Sequence, residues 1–189
     1  SPLLDAQNKA YSLPNVATVI YREQEGSFLA GATAGLASKT GKVGFVGGIE
    51  IPLVKKFEAG FTAGVKAVNP GAEVKRTYTG SFDNSPAGKR AAVDLFAQGV
   101  DVIFHAAGAD GLGVIQAAKE KEKWVIGCDS DQAHLAPKHV LTSMVKRVDY
   151  AIYRSIQAAA EKRFKAGDTA LGRDSAGVGL APINAGVAN

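Results

Sequence analysis

Four short clusters of small and acidic residues punctuate the chain: Gly47-Gly48-Ile49-Glu50, Gly80-Ser81-Phe82-Asp83-Asn84, Ala106-Ala107-Gly108-Ala109-Asp110-Gly111 and Cys128-Asp129-Ser130-Asp131-Gln132. A lysine, Lys146, follows a little farther on. Glycine lets backbone groups come close to a ligand, a carboxylate accepts two hydroxyl protons, and an aromatic ring offers a flat apolar face. Gly48, Phe82, Gly108, Asp129, Asp131 and Lys146 together therefore suit a neutral, hydroxyl-rich ligand with a planar part. Taken singly, each has a plainer role: the glycines as turn residues, Phe82 as core, the acids as helix caps.

Other chemistries find less support. Gly108-x-x-Gly111-x-Gly113 reverses the spacing of the dinucleotide fingerprint G-x-G-x-x-G, which makes it a tight turn. Gly35 to Lys42 superficially suggests a phosphate-binding loop. It has one residue too many before Gly41-Lys42, lacks the following Ser or Thr, and runs from helix to strand. His105, His134 and His139 are too dispersed for a metal cluster, and Asp129-x-Asp131 lacks the rest of a calcium loop. No G-x-S-x-G is present, and Cys128 has no evident activating partner. The expectation is a protein that is not an enzyme and that needs neither cofactor nor structural metal.

The elements that must hold these clusters alternate between strand and helix, the pattern of a mostly parallel sheet covered by helices. Strands are expected near Val16 to Tyr21, Lys42 to Val46, Glu73 to Thr79, Asp101 to His105, Trp124 to Gly127, Val140 to Val145 and Val178 to Ala181. The helix from Pro52 to Val68 is the clearest, because Leu53, Phe57, Phe61, Val65 and Val68 form one apolar stripe. Ser85-Pro86 opens another, as a cap followed by a residue suited to the first turn. Further helices are expected near Gln24 to Ser38, Gly111 to Lys121 and Asp149 to Phe164. In such sheets the ligand crevice lies beyond the carboxyl ends of the strands, which is where the four clusters fall.

Composition narrows the function classes. The 189 residues, 46% hydrophobic and 21% charged, are enough for one or two globular cores. The net charge of +4 comes from basic residues spread among acids, with Lys55-Lys56, Lys75-Arg76 and Lys89-Arg90 as the densest spots. That distribution argues against nucleic acid as a partner. A single cysteine excludes an internal disulfide and leaves the redox compartment open. No apolar run approaches the eighteen or so residues of a membrane span, and no signal peptide precedes the first strand. That strand, Val16 to Tyr21, has no earlier strand to join, so the chain reads as truncated.

Ordered motifs sharpen the picture. Tyr21-Arg22-Glu23-Gln24-Glu25-Gly26-Ser27-Phe28-Leu29-Ala30-Gly31, Gly41 to Gly48, Phe57-Glu58-Ala59-Gly60-Phe61, Gly80 to Asp83, Ala106 to Gly108, Gly127 to Gln132 and Thr142 to Asp149 resemble the basic membrane protein family, in the same order. These are substrate-binding lipoproteins of ABC transporters, several of them similar to purine nucleoside receptors. The resemblance implies a type I periplasmic-binding-protein-like α/β fold, with parallel sheets flanked by helices and two lobes, the first incomplete in this chain. On it, residues 1–40 are a remnant of the first lobe, 41–139 the ligand-binding second lobe, and 140–189 a crossover back and a C-terminal return.

The resemblance also implies that Phe82 stacks on a nucleoside base, Gly108 offers its backbone, and Asp129 with Lys146 holds the ribose hydroxyls. The implied partners are a nucleoside and ABC permease subunits, with an extracytoplasmic location and a membrane link only through a lost N-terminal lipid anchor. The family's opening segment, which carries a second stacking aromatic and an acid facing the base, has no counterpart here. The competing reading is a cytoplasmic effector-binding domain of a transcriptional regulator, since this kind of fold serves both.

Overall fold

Four apolar runs decide the architecture. β2 (Lys42–Gly47), β4 (Val102–Ala106), β5 (Trp124–Asp129) and β6 (Val140–Lys146) are buried almost along their whole length, as strands of a parallel sheet covered on both faces must be. In the computed structural model, which describes residues 6–7 and 13–187, they form the centre of a six-stranded sheet of order β3-β2-β4-β5-β6-β8, with β3 at Glu73–Tyr78 and β8 at Val178–Leu180. The β2–β3, β2–β4, β4–β5 and β5–β6 pairings are all parallel. All four ligand-type clusters consequently lie just beyond the carboxyl ends of their strands, at one edge of the sheet.

Helices cover the sheet. α1 (Glu23–Ala37) and α2 (Pro52–Val68) pack against each other, and so do α3 (Ser85–Ala97) and α4 (Asp110–Glu120). One apolar cluster combines Phe57 and Phe61 of α2 with Phe45, Phe104, Ile126, Leu141 and Met144 of the sheet. The other gathers Leu95 and Phe96 of α3 and Val114 and Ile115 of α4 around Ile103, Val125 and Val140. The α1–α2 contact is close because glycines line it: a Cβ at Gly31 would stand 2.0 Å from the Phe61 carbonyl oxygen, and one at Gly64 2.0 Å from that of Phe28.

The chain divides into two compact units. The larger comprises Glu23–Val145 and the residues from Gly179 on. The smaller comprises the described residues before Glu23 together with Lys146–Val178, and contains β1 (Ala17–Tyr21), α5 (Val148–Ala160) and β7 (Gly167–Leu171).

One strand is added and two sequence expectations are corrected here. β1 pairs in parallel along all five residues with β7, a later strand that the sequence reading did not include. The last long helix stops at Ala160 rather than Phe164, with Lys162 in the left-handed region (φ 57°), and so releases the chain to form β7. And α1, expected to go with the residues before 40, belongs to the larger unit, where its glycines press on α2. Among the described residues no helix is long and apolar enough to cross a membrane.

Candidate functional site

Phe82 lies in the loop that leads from β3 to α3. Its ring rests on the backbone of Gly48, where a Cβ would meet the ring's Cε1 at 2.3 Å. The ring is 38% exposed and joins neither apolar cluster. Only glycine at 48 allows this approach, so the glycine cluster after β2 and the aromatic after β3 form a single feature.

The same loop is fastened to the start of α4. The Ala109 N–H donates to the Phe82 carbonyl oxygen at 2.8 Å, and the Asn84 N–H donates to the buried Asp110 carboxylate. Gly108 sits between these ties with φ 56°, and a Cβ there would come within 2.8 Å of the Phe82 oxygen. Two independent reasons therefore reserve position 108 for glycine: the left-handed backbone and the lack of room. The α3 cap is Asn84, whose side chain accepts from the Ala87 N–H at 3.2 Å, and not Ser85, which is already in the helix.

Asp129 ends β5 and is exposed, with φ 69°. Its register partner on β6 is Val145, the residue before Lys146. Asp131, also exposed, uses one carboxylate oxygen to accept the Ala133 N–H at 3.0 Å, a local turn that leads into the short 3-10 turn at Ala133–Leu135. Lys146 belongs to the smaller unit, where its Nζ lies 5.9 Å from the centroid of the Tyr21 ring. Of the six residues singled out from sequence, Gly48 and Gly108 both lie against Phe82. Asp129 and Asp131 occupy the same sheet edge on the next strand but one from Gly48, and Lys146 lies in the other unit.

Sequence reasoning gave no role to two residues behind the Asp129 loop. His105, on β4, is fully buried, and its Nε2 lies 2.9 Å from Oε1 of Gln132. The same Oε1 accepts from the Cys128 N–H at 3.0 Å. Because that oxygen is only an acceptor, His105 carries its proton on Nε2. Nδ1 is buried without a hydrogen-bond partner, facing the backbone of Gly111. Burial holds the His105 pKa down at about 4, against smaller upward pulls from the Gln132 hydrogen bond and the Asp129 charge.

An exposed ring over glycine, backbone groups beside it and carboxylates at the same sheet edge make a surface for binding through stacking and hydroxyl hydrogen bonds. The family model described as ABC transporter substrate-binding protein PnrA-like matches residues 3–185. A CD4+ T-cell-stimulating antigen of Listeria monocytogenes is 45% identical over 154 residues, covering 73% of this chain and 43% of that protein. Basic membrane protein A of Borreliella burgdorferi is 44% identical over 140 residues, covering 73% and 41%. Among solved structures, an ABC transporter solute-binding protein from Aeropyrum pernix superposes with a TM-score of 0.84 at 34% identity, covering 91% of this chain and 51% of that one. The chain thus spans less than half the length of these two curated relatives.

Proposed function

The chain belongs to the PnrA-like family of ABC transporter substrate-binding proteins, and on that premise we propose that it is the ligand-holding part of an ABC importer whose ligand is a nucleoside, with a purine base. The observation that carries the reading is the Phe82 ring, spread over Gly48, partly exposed and outside both cores. A phenylalanine kept out of the core at a strand's carboxyl end is a platform for a flat partner, and base stacking on such rings contributes about 1 to 3 kcal/mol. Gly108 supplies a backbone approach beside it. Asp129 accepts ribose hydroxyl protons, with Lys146 as a further hydroxyl partner and Asp131 adding negative charge at the rim.

This assignment has the protein bind without chemical change, deliver the ligand to permease subunits and work outside the cytoplasm, held to the membrane by a lipid anchor. Family membership supports the transport role, and the charge at the sheet edge favours a neutral ligand over an anionic one. Calorimetry on the full-length protein tests it with inosine and inosine monophosphate. Carboxylates at 129 and 131 repel a phosphate, so inosine is expected to bind more tightly by about tenfold or more. Tighter binding of the monophosphate overturns the choice of ligand class.

A further inference from the structure

The Asp129 loop is held in an unusual shape. The Ser130 N–H donates to the Cys128 carbonyl oxygen at 2.9 Å, a bond that skips one residue, and the residue skipped is Asp129 at φ 69°. This pairing of bond and backbone sign belongs to the rare, strained form of the γ-turn. A non-glycine residue stays in such a conformation only where its surroundings over-determine it. The loop therefore needs a fastening beyond its own γ-turn bond.

Gln132 provides one on three neighbouring strands. Both acceptor positions of its Oε1 are taken, by the Cys128 N–H of β5 and by His105 of β4, and its own N–H donates to Ser143 Oγ of β6 at 3.0 Å. Gly127 leaves the space for it: a Cβ there would stand 2.6 Å from Oε1 and 2.5 Å from Ser143 Oγ. The side chain folds back onto the residue immediately before Asp129 and closes the five-residue segment on itself.

Building on the proposed nucleoside reading, we infer that Gln132 is the positioning residue for Asp129, fixing the left-handed turn that presents its carboxylate to a ligand's vicinal hydroxyls. His105 and Ser143 act through Gln132, as the donor and acceptor that hold its side chain and backbone in place. Gln132 itself touches no ligand.

The test uses the full-length protein with Gln132→Met, which keeps length and volume but has no acceptor oxygen, and Gln132→Glu, which keeps the oxygen. Affinities are measured for inosine and for 2′,3′-dideoxyinosine, and the Asp129 backbone is read from crystal structures or NMR couplings. Gln132→Met is expected to weaken inosine about tenfold, the size of one well-placed hydrogen bond to a charged group. The dideoxy analogue should be unaffected, and Asp129 should leave the left-handed region. Gln132→Glu should recover most of the inosine affinity.

Equal losses for the two nucleosides, or a left-handed Asp129 retained in Gln132→Met, would overturn the inference. Should Gln132→Met fold poorly, Ser143→Ala, which loosens the same anchor from the β6 side, must shift the inosine to dideoxyinosine ratio in the same direction or the inference fails. If the unaltered protein binds no nucleoside or ignores the hydroxyls, the ligand reading falls, while the backbone of Asp129 in Gln132→Met still decides whether Gln132 sets the turn.

Discussion

Replacing Phe82 by leucine separates a stacking platform from a packing residue. With 38% of its surface exposed, a phenylalanine of about 200 Å² covers roughly 120 Å², which is about 3 kcal/mol of burial before compactness of the unfolded chain trims it to about 2 kcal/mol. Leucine retains most of that cover over Gly48, so Phe82→Leu should cost under about 1.5 kcal/mol of stability. It cannot offer a flat face, so inosine affinity should fall by about 1 to 3 kcal/mol, or roughly 5- to 150-fold. Phe104→Leu is the control. Its ring is fully buried, with centroids 5.8 Å from Phe45 and 5.4 Å from Phe61. Losing two aromatic contacts of about 0.5 to 1.5 kcal/mol each should lower stability by about 1 to 3 kcal/mol and leave affinity alone. Denaturant titration and calorimetry on the full-length protein measure both quantities. If Phe82→Leu costs as much stability as Phe104→Leu and binds inosine unchanged, Phe82 is a packing residue and the chemical reason for choosing a nucleoside is gone.

Two further outcomes concern stability alone. Asp101, nearly buried before β4, accepts from Ser38 Oγ at 2.6 Å and from the Lys39 and Thr40 N–H groups at 2.7 and 3.0 Å. Asp101→Ala should cost about 2 to 4 kcal/mol by thermal or denaturant melting, since it strands backbone donors, without changing ligand affinity at the opposite edge of the sheet. His105, with its pKa lowered from 6.5 to about 4, binds its proton less readily folded than unfolded, so its share of stability is intact above about pH 6.5 and drains away as the pH falls toward 4. The total is up to about 3 kcal/mol. A His105→Gln variant, melted across the same range, should show a shallower fall with acid, and an unchanged slope would remove His105 as the cause.

The larger unit was legible because each of its signals is local. α2 begins and ends at the expected residues because Pro52 suits a first turn and its apolar stripe runs unbroken to Val68. The buried strands announce themselves as apolar runs. β7 carries no such signal: Gly167-Asp168-Thr169-Ala170-Leu171 has one strongly apolar side chain, and its middle three residues are exposed. Its strand identity comes from pairing with β1, across about 150 residues of sequence, and a pattern read along the chain contains no record of that partner. The change from helix to strand at Lys39-Thr40-Gly41 reads as a boundary and puts α1 on the wrong side of it, because the glycine contacts that join α1 to α2 leave no mark along the chain.

The site divides along the same line. That the clusters after β2, β3, β4 and β5 face a common edge follows from strand order and direction alone, and so Gly48, Phe82 and Gly108 could be nominated without coordinates. That Gly48 is there because of the Phe82 ring, and Gly108 because of the Phe82 carbonyl, is a relation between strands that no single cluster discloses. His105 and Gln132 are the extreme case. Each reads as unremarkable by itself, one a lone histidine in an apolar strand and the other an amide in a loop, and their role exists only in the bond between them. Local chemistry thus names the groups that can face a ligand, whereas the groups that fix the direction of those faces are defined by tertiary contacts. In this chain the strained turn at Asp129 connects the two. An aspartate is tolerated at positive φ better than most residues, but tolerance does not hold it there, and the holding falls to an amide three residues later that spans three strands.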